Sequence, residues 1–302
     1  MNGILNILKS PGMTSHDVVS CIRKITGIKR VGHAGTLDPE AAGVLPICVG
    51  PSTRLIQYLD HQKKMYRAEM CLGVETDTQD LTGEIINTNS MIPSEEKIKN
   101  AIHSFLGEYD QIPPMYSAIK QNGKKLYELA REGKIVERKV KKKHIFSIDW
   151  ISFHDNKVLF DIVCSEGTYI RTFCHDVGQR LGCGASMSFL LRKESCRLKL
   201  CSAHTMEEIT QANDLSTMCT SLEEVLDHLP ALNIDASQEQ RVKNGNSIPV
   251  NYIHNHGTSD MINTYENNYY RLYFLNKFHG IGYFDHIADL LKFKLNFKDS
   301  IK

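Results

Sequence analysis

Residues 32–50 read GHAGTLDPEAAGVLPICVG, and much of the chemistry of this 302-residue chain is concentrated there. Four glycines (Gly32, Gly35, Gly43, Gly50) and two prolines (Pro39, Pro46) mark a backbone that turns repeatedly and passes close to something. A phosphate cradle is one reading, but no Gly-Lys-Ser/Thr follows, so the stretch is not a P-loop. Asp38 is held between Leu37 and Pro39. Taken alone it reads as a turn or helix cap. A single carboxylate is also too few for ordinary glycosidase chemistry, which uses a pair.

Outward from this stretch the pattern is mixed. Residues 15–27 place Val18, Val19, Ile22 and Ile25 at helical spacing, with Ser15 as the expected N-cap and Gly27 as the stop. Residues 94–106 repeat the logic from Ser94 to the glycine at 107, and 168–181 carry Ile170, Phe173, Val177 and Leu181 on one side. Strand alternation appears at 66–73 and 157–165. Helices and hairpins interleave without regular strand–helix alternation, which predicts an α+β fold with a mainly antiparallel sheet. Composition shifts near Pro230: residues 251–269 are polar and Asn-rich, and RLYFLNKFHGIGYF then reads as short strands around glycines, a small β module.

Composition narrows the class. The hydrophobic share of 41% and charged share of 24% are ordinary for a globular chain. No run approaches the length of a membrane span, and the N-terminus lacks the basic-then-apolar pattern of an export signal. Nine scattered cysteines without a CxxC pair fit a reducing cytoplasm and give neither a disulfide framework nor a zinc site. Net charge is +1, yet between Lys120 and Lys143 ten Lys or Arg face three Glu, ending in RKVKKK. Such a run is either a solvated face or a segment that tracks phosphates by releasing counterions.

The string at 32–50 resembles, nearly letter for letter, the catalytic motif of TruB-type pseudouridine synthases. ILNILKSPGMTSHDVV from residue 4 resembles the family's first strand and its lysine turn. KMYRAEMCLGVETDTQDLTGEI is similar to its tyrosine strand and TDTxDxxG signature. FLGEYDQIPPMYSAIKQNGKKLYELAREG and CSEGTYIRTFCHDVGQRLGCGASMSFLLRK resemble two further blocks, in family order, up to about residue 197.

The resemblance implies a pseudouridine-synthase catalytic domain over 1–230, with a basic RNA-gripping thumb insertion at about 107–143, and a PUA-like module over 231–302. It implies that Asp38 is the catalytic carboxylate, acting at ribose carbon 1′ or as a base at the 2′ position. Arg171 would pair with it through a bidentate fork, keeping it charged and oriented. Tyr66 would stack on the target base and take its last proton, with Tyr169 as packing support. His33 would lie against nucleotides of the opened loop, and Lys9 near the active-site turn, although the sequence reads Lys-Ser-Pro-Gly where the family has Lys-Pro-x-Gly. Leu191, in Leu191-Arg192-Lys193, would touch substrate, and a glycine of the pattern is replaced around Ser195–Cys196. Lys139, Lys141, Lys142 and Lys143 would hold phosphates.

The implied reaction is conversion of the T-loop uridine, position 55, of tRNA, with the C-terminal module reaching the acceptor end. It requires no metal and no cofactor. A cytoplasmic monomer without an obligatory protein partner is expected, and a tRNA-folding chaperone role is compatible with it. A guide-RNA-directed subunit is the alternative; the long insertion at 107–143 matches the stand-alone type.

Overall fold

The computed structural model describes residues 1–121, 123–256 and 269–297. The polar segment expected at 251–269 therefore falls largely outside the described residues. The architecture is mixed α+β, as the interleaved periodicities imply. One large sheet of ten described strands runs, in its main order, Cys219–Thr220, Gly3–Lys9, Ala42–Val49, Ala185–Ser195, Lys63–Leu72, Lys157–Ser165, Lys141–His154, Gly107–Gln111. Short strands Val31–His33 and Leu198–Lys199 pair beside Ala42–Val49 and Ala185–Ser195. Among the described strands of this sheet, only Ala42–Val49 and Ala185–Ser195 pair in parallel.

The central strand Lys63–Leu72 shows why the sheet forms. Lys64, Tyr66, Ala68, Met70 and Leu72 alternate onto the buried face while their neighbours keep partial exposure. On that face pack the helices Ser15–Thr26, Glu95–His103 and Ile170–Leu181, through Val18, Ile22, Ile98, Ile102, Phe173 and Val177, in one continuous core.

Helix ends differ from expectation in an instructive way. Thr14, not Ser15, caps the first helix: its hydroxyl accepts from the Asp17 amide at 3.0 Å, and the Asp17 carboxylate accepts from the Thr14 amide at 2.9 Å. Ser15 is thereby released for another task, described below. Ser94 does stand at the N-cap of Glu95–His103, and Gly182 ends Ile170–Leu181 in the left-handed conformation at φ 71°. The glycine missing near Ser195 has a visible consequence. Cys196 and Arg197 form the turn between Ala185–Ser195 and Leu198–Lys199 with φ of 52° and 64°, where glycine would be unstrained.

The second sheet begins at Ala231–Ile234 and has six described strands, completed by Ile248–Pro249, Ile253–Asn255, Tyr270–Phe274, Lys277–Asp285 and Leu290–Asn296. It has its own core around Leu232, Val242, Leu272 and Leu291. A third cluster crosses between the sheets, joining Ile4, Val44, Cys48, Leu55 and Tyr58 to Tyr273, Phe278, Ile281, Leu295 and Phe297. The Tyr273 hydroxyl donates to Glu223 Oε2 at 2.9 Å, and Arg271 Nε to the Leu229 carbonyl at 2.8 Å, across the same seam. Among the described residues no helix is long and apolar enough to cross a membrane.

Candidate active site

The loop between Val31–His33 and Ala42–Val49 is held peptide by peptide. Arg192, fully buried in Ala185–Ser195, donates to the carbonyls of Gly35 (3.1 Å), Thr36 (3.1 Å) and Val44 (2.8 Å). The Ser15 hydroxyl accepts from the Leu37 amide at 2.9 Å and donates to its carbonyl at 3.2 Å. The Lys9 ammonium donates to the carbonyls of Ser10, Met13 and Pro39 at 2.7–2.9 Å, and the Gly12 amide also donates to Pro39 at 3.0 Å. Gly43 is obligatory here: a Cβ on it would lie 2.3 Å from the Arg192 carbonyl oxygen, against which its strand pairs. Asp38 is the residue these anchors leave facing outward, retaining 36% of its side-chain surface.

Arg171 enters from the first turn of Ile170–Leu181 and is itself buried. The expected bidentate fork is not formed. One terminal nitrogen donates to Asp38 Oδ1 at 3.1 Å and to the Tyr116 carbonyl at 2.8 Å. The other lies 3.7 Å from Asp80 Oδ2. The guanidinium is divided among three acceptors because it sits where the Asp38 loop, the root of the thumb and the 76–83 loop meet.

Asp80 is thus a second carboxylate at the site, which the TDTxDxxG pattern contained but to which no role was given. Thr78 and the Thr82 amide hold it at 2.8 and 3.0 Å. Gln111 is another residue the sequence did not single out. Its side-chain amide pairs with the backbone of Tyr169 like a short strand, accepting from its N–H at 2.8 Å and donating to its carbonyl at 2.9 Å. That clamp fixes the start of the helix that carries Arg171. The Tyr109 hydroxyl, which lies beside Gln111, donates to Asp176 of the same helix. A buried Gln on a strand gives no periodicity signal, so its role emerges only from the fold.

The electrostatics follow from enclosure. Burial pushes the Asp38 carboxyl above the ordinary range; Arg171 opposes the rise and Asp80 adds to it. Arg171 thus acts in the expected direction, favouring the charged carboxylate, without cancelling the effect of burial. Burial also pushes the Tyr66 phenol up to about 12, with Arg192 opposing, and raises Tyr169. Both tyrosines lie within electrostatic reach of Asp38. Burial and then Arg192 hold His33 below the usual imidazole range.

The fold brings Asp38, Arg171, Tyr66 and Tyr169 together, with His33 on the flank. Lys9 is a correction: it is wholly buried and all three ammonium protons are used by carbonyls, so it shapes the loop and does not reach a ligand. Leu191 is half-buried in its strand, opposite Ala42 and Arg67. Lys139, Lys141 and Lys142 are exposed. Lys143 donates to the Glu166 carbonyl at 2.8 Å, and Lys142 lies 3.6 Å from Glu108. Lys141–Lys143 form the start of a sheet strand paired with Gly107–Gln111, so part of the insertion is an extension of the sheet. Among the described residues no three His, Cys, Asp or Glu side chains gather as a metal site.

The fold is shared with solved structures. A chain in the Cbf5–Nop10–Gar1 complex aligns with a TM-score of 0.72 at 28% identity, covering 93% of this chain and 78% of that one. An H/ACA RNP bound to a substrate RNA containing 2′-deoxyuridine has the same fold, with a TM-score of 0.73 at 24% identity, covering 99% and 86%. Family models for the TruB family pseudouridylate synthase N-terminal domain and the tRNA pseudouridylate synthase B C-terminal domain match residues 23–170 and 171–230. The tRNA pseudouridine synthase B of Alkaliphilus oremlandii is 51% identical over 253 residues, covering 84% of this chain and 85% of that protein. Its counterpart in Clostridioides difficile is 40% identical over 289 residues, covering 93% and 94%. The fold and these matches together define a pseudouridylate synthase. The chain belongs to the TruB family.

Proposed function

We propose that this protein converts the uridine at position 55, in the T loop of tRNA, to pseudouridine, acting as a cytoplasmic monomer without cofactor or metal. The observation that carries the reading is Asp38: a carboxylate whose loop is anchored at Gly35, Thr36, Leu37 and Pro39, tied to Arg171 and partly exposed. A stacked uridine hides its glycosidic bond, so the nucleotide must flip out to reach such a pit, at a cost of a few kcal/mol. Unstacked loop nucleotides are the RNA elements that proteins open and read most readily.

Asp38 then acts at ribose carbon 1′ as nucleophile or at the 2′ position as base, and the bond from carbon 1′ to N1 of uracil breaks. The freed base turns and carbon 5 bonds to carbon 1′, displacing the Asp38 carboxylate in the first route or with Asp38 returning the 2′ proton in the second, and the proton on carbon 5 leaves while N1 gains one. Tyr66 supplies the aromatic face for the turning base. It is also assigned the carbon 5 proton, which it takes as a phenolate; burial raises the phenol and Arg192 opposes that rise. Tyr169 packs at the Asp38–Arg171 pair. His33 and Leu191 are assigned to loop nucleotides, and the exposed Lys139, Lys141 and Lys142 to phosphates of the T arm, with Lys143 beside them. Residues 231–302 form a PUA-like unit directed to the acceptor end. A tRNA-folding role is compatible with the same grip.

The test is to map pseudouridine in an unmodified tRNA transcript after incubation with the protein alone. Formation at position 55 without guide RNA or partner protein is the expected result. No product, or product only when a guide RNA is added, would refute the reading.

A further inference from the structure

Lys64 precedes Tyr66 by two residues in the central strand, so the two side chains leave the same buried face. Lys64 is 8% exposed, yet among the described residues its ammonium has no hydrogen-bond or ion-pair partner. Its buried neighbours differ: Lys9 and Arg192 each satisfy three carbonyls. Glu166, Cys164 and Cys196 lie within electrostatic reach of Lys64 but none pairs with it. An ammonium this enclosed and without a protein acceptor is costly, and an anion at its opening would supply the missing partner. Burial accordingly pushes this ammonium below the usual lysine range.

The space in front of Lys64 is kept open by Gly35. That residue has φ of 110°, and a Cβ on it would lie 3.4 Å from Lys64 Nζ and 3.7 Å from an Arg192 terminal nitrogen. Any side chain there would fill the approach. An unpartnered ammonium and a glycine gap thus meet at the loop that carries Asp38.

We infer that Lys64 is a phosphate-binding residue that takes one RNA backbone phosphate at the Gly35 gap, next to the nucleotide engaged by Asp38. The inference rests on the RNA reading above. It assigns a fixed anion site inside the cleft, distinct from the exposed lysines of the thumb. An ammonium–phosphate bond there is charge-assisted and shielded from solvent, so it registers the flipped nucleotide as well as attracting RNA.

The test pairs Lys64→Met with RNA whose phosphates are neutralised one at a time. T-arm hairpins carrying a single methylphosphonate on either side of the target uridine are titrated against protein made inactive by Asp38→Asn, with and without Lys64→Met. Lys64→Met should weaken unmodified hairpin about tenfold to a hundredfold, as for loss of a charged hydrogen bond. One methylphosphonate should cost the Lys64 protein a similar factor and cost Lys64→Met nothing. Equal losses in both proteins at every position would overturn the inference. Because no protein partner is lost, Lys64→Met should melt no lower than the parent; a melting point lower by several degrees, or failure of both Lys64→Met and Lys64→Gln to fold, would mark a structural cation and equally overturn it. If wild-type protein neither binds the hairpin nor modifies it, the RNA reading fails, and inorganic sulfate at fixed ionic strength decides the pocket separately. Saturable stabilisation of wild type but not of Lys64→Met would keep an anion site, and no difference would remove it.

Discussion

At the scale of single residues, one carboxylate carries the chemistry and its surroundings work against its charge. Asp38→Asn should abolish pseudouridine formation in a single-turnover assay while tRNA affinity stays within a few fold, since no phosphate contact changes. The linked stability effect has a definite sign. A carboxyl whose folded pKa is raised binds more protons in the native state, so charging it costs stability as pH rises from the unfolded value through the folded one. Asp38→Asn should therefore melt no lower than wild type at pH 7, with any gain fading in acid. Retained turnover would sink the assignment of Asp38. Asp80 supplies a second check. Removing its charge with Asp80→Asn relieves a like-charge contribution at Asp38. The acid limb of the pH–rate profile should move to lower pH, even as the looser Arg171 slows the reaction; a limb that stays in place would place Asp80 outside the electrostatics of the site.

At the scale of elements, precision comes from a loop pinned by parts far away in sequence. Ser15 ties Leu37 to the first helix, Lys9 ties Pro39 to the first strand, and Arg192 ties Gly35 and Thr36 to the strand beside them. Ser15→Ala leaves a buried amide and carbonyl without their partner, which costs about 1–3 kcal/mol. It should lower the melting temperature by several degrees and reduce the rate with little change in RNA affinity, because Asp38 moves while the phosphate contacts do not. Urea denaturation beside single-turnover kinetics checks both halves. A loss of RNA affinity as large as the loss of rate would count against the loop-anchoring role.

At the scale of the whole molecule, the two sheets share a hydrophobic cluster, and this bears on how they work together. Ending the chain near Pro230 would uncover Ile4, Val44, Cys48, Leu55 and Tyr58 on the catalytic side. Burial of such side chains is worth about 1.5–3 kcal/mol each, and several of them approach the net stability of a domain, about 5–15 kcal/mol. The truncated chain should appear mainly in the insoluble fraction or melt well below the full chain, and any soluble part should lose activity on a T-arm hairpin and on whole tRNA alike. Full hairpin activity with an unchanged melting point would show that residues 231–302 serve only as a separate RNA contact.

What the sequence determined by itself was whatever is written locally. The alternation of Tyr66, Ala68, Met70 and Leu72, the helical spacing of Val18, Val19 and Ile22, and the Gly27 stop follow from nearest-neighbour geometry and appear in the structure where expected. The motif at 32–50 was legible through its resemblance to a family's catalytic motif; its glycines and prolines alone gave only a backbone that turns repeatedly. Three things were decided only by the tertiary structure. Ser15 gave up the cap to Thr14 because Leu37, 22 residues on, offered it a buried amide. The Arg171 fork was divided because the Asp38 loop, Asp80 and the Tyr116 carbonyl converge on one guanidinium. Lys9 and Lys64 are both lysines of buried strand faces, yet one is saturated by carbonyls and the other has none. Burial and hydrogen-bond partners depend on which distant segments meet, and no local pattern of residues encodes that meeting.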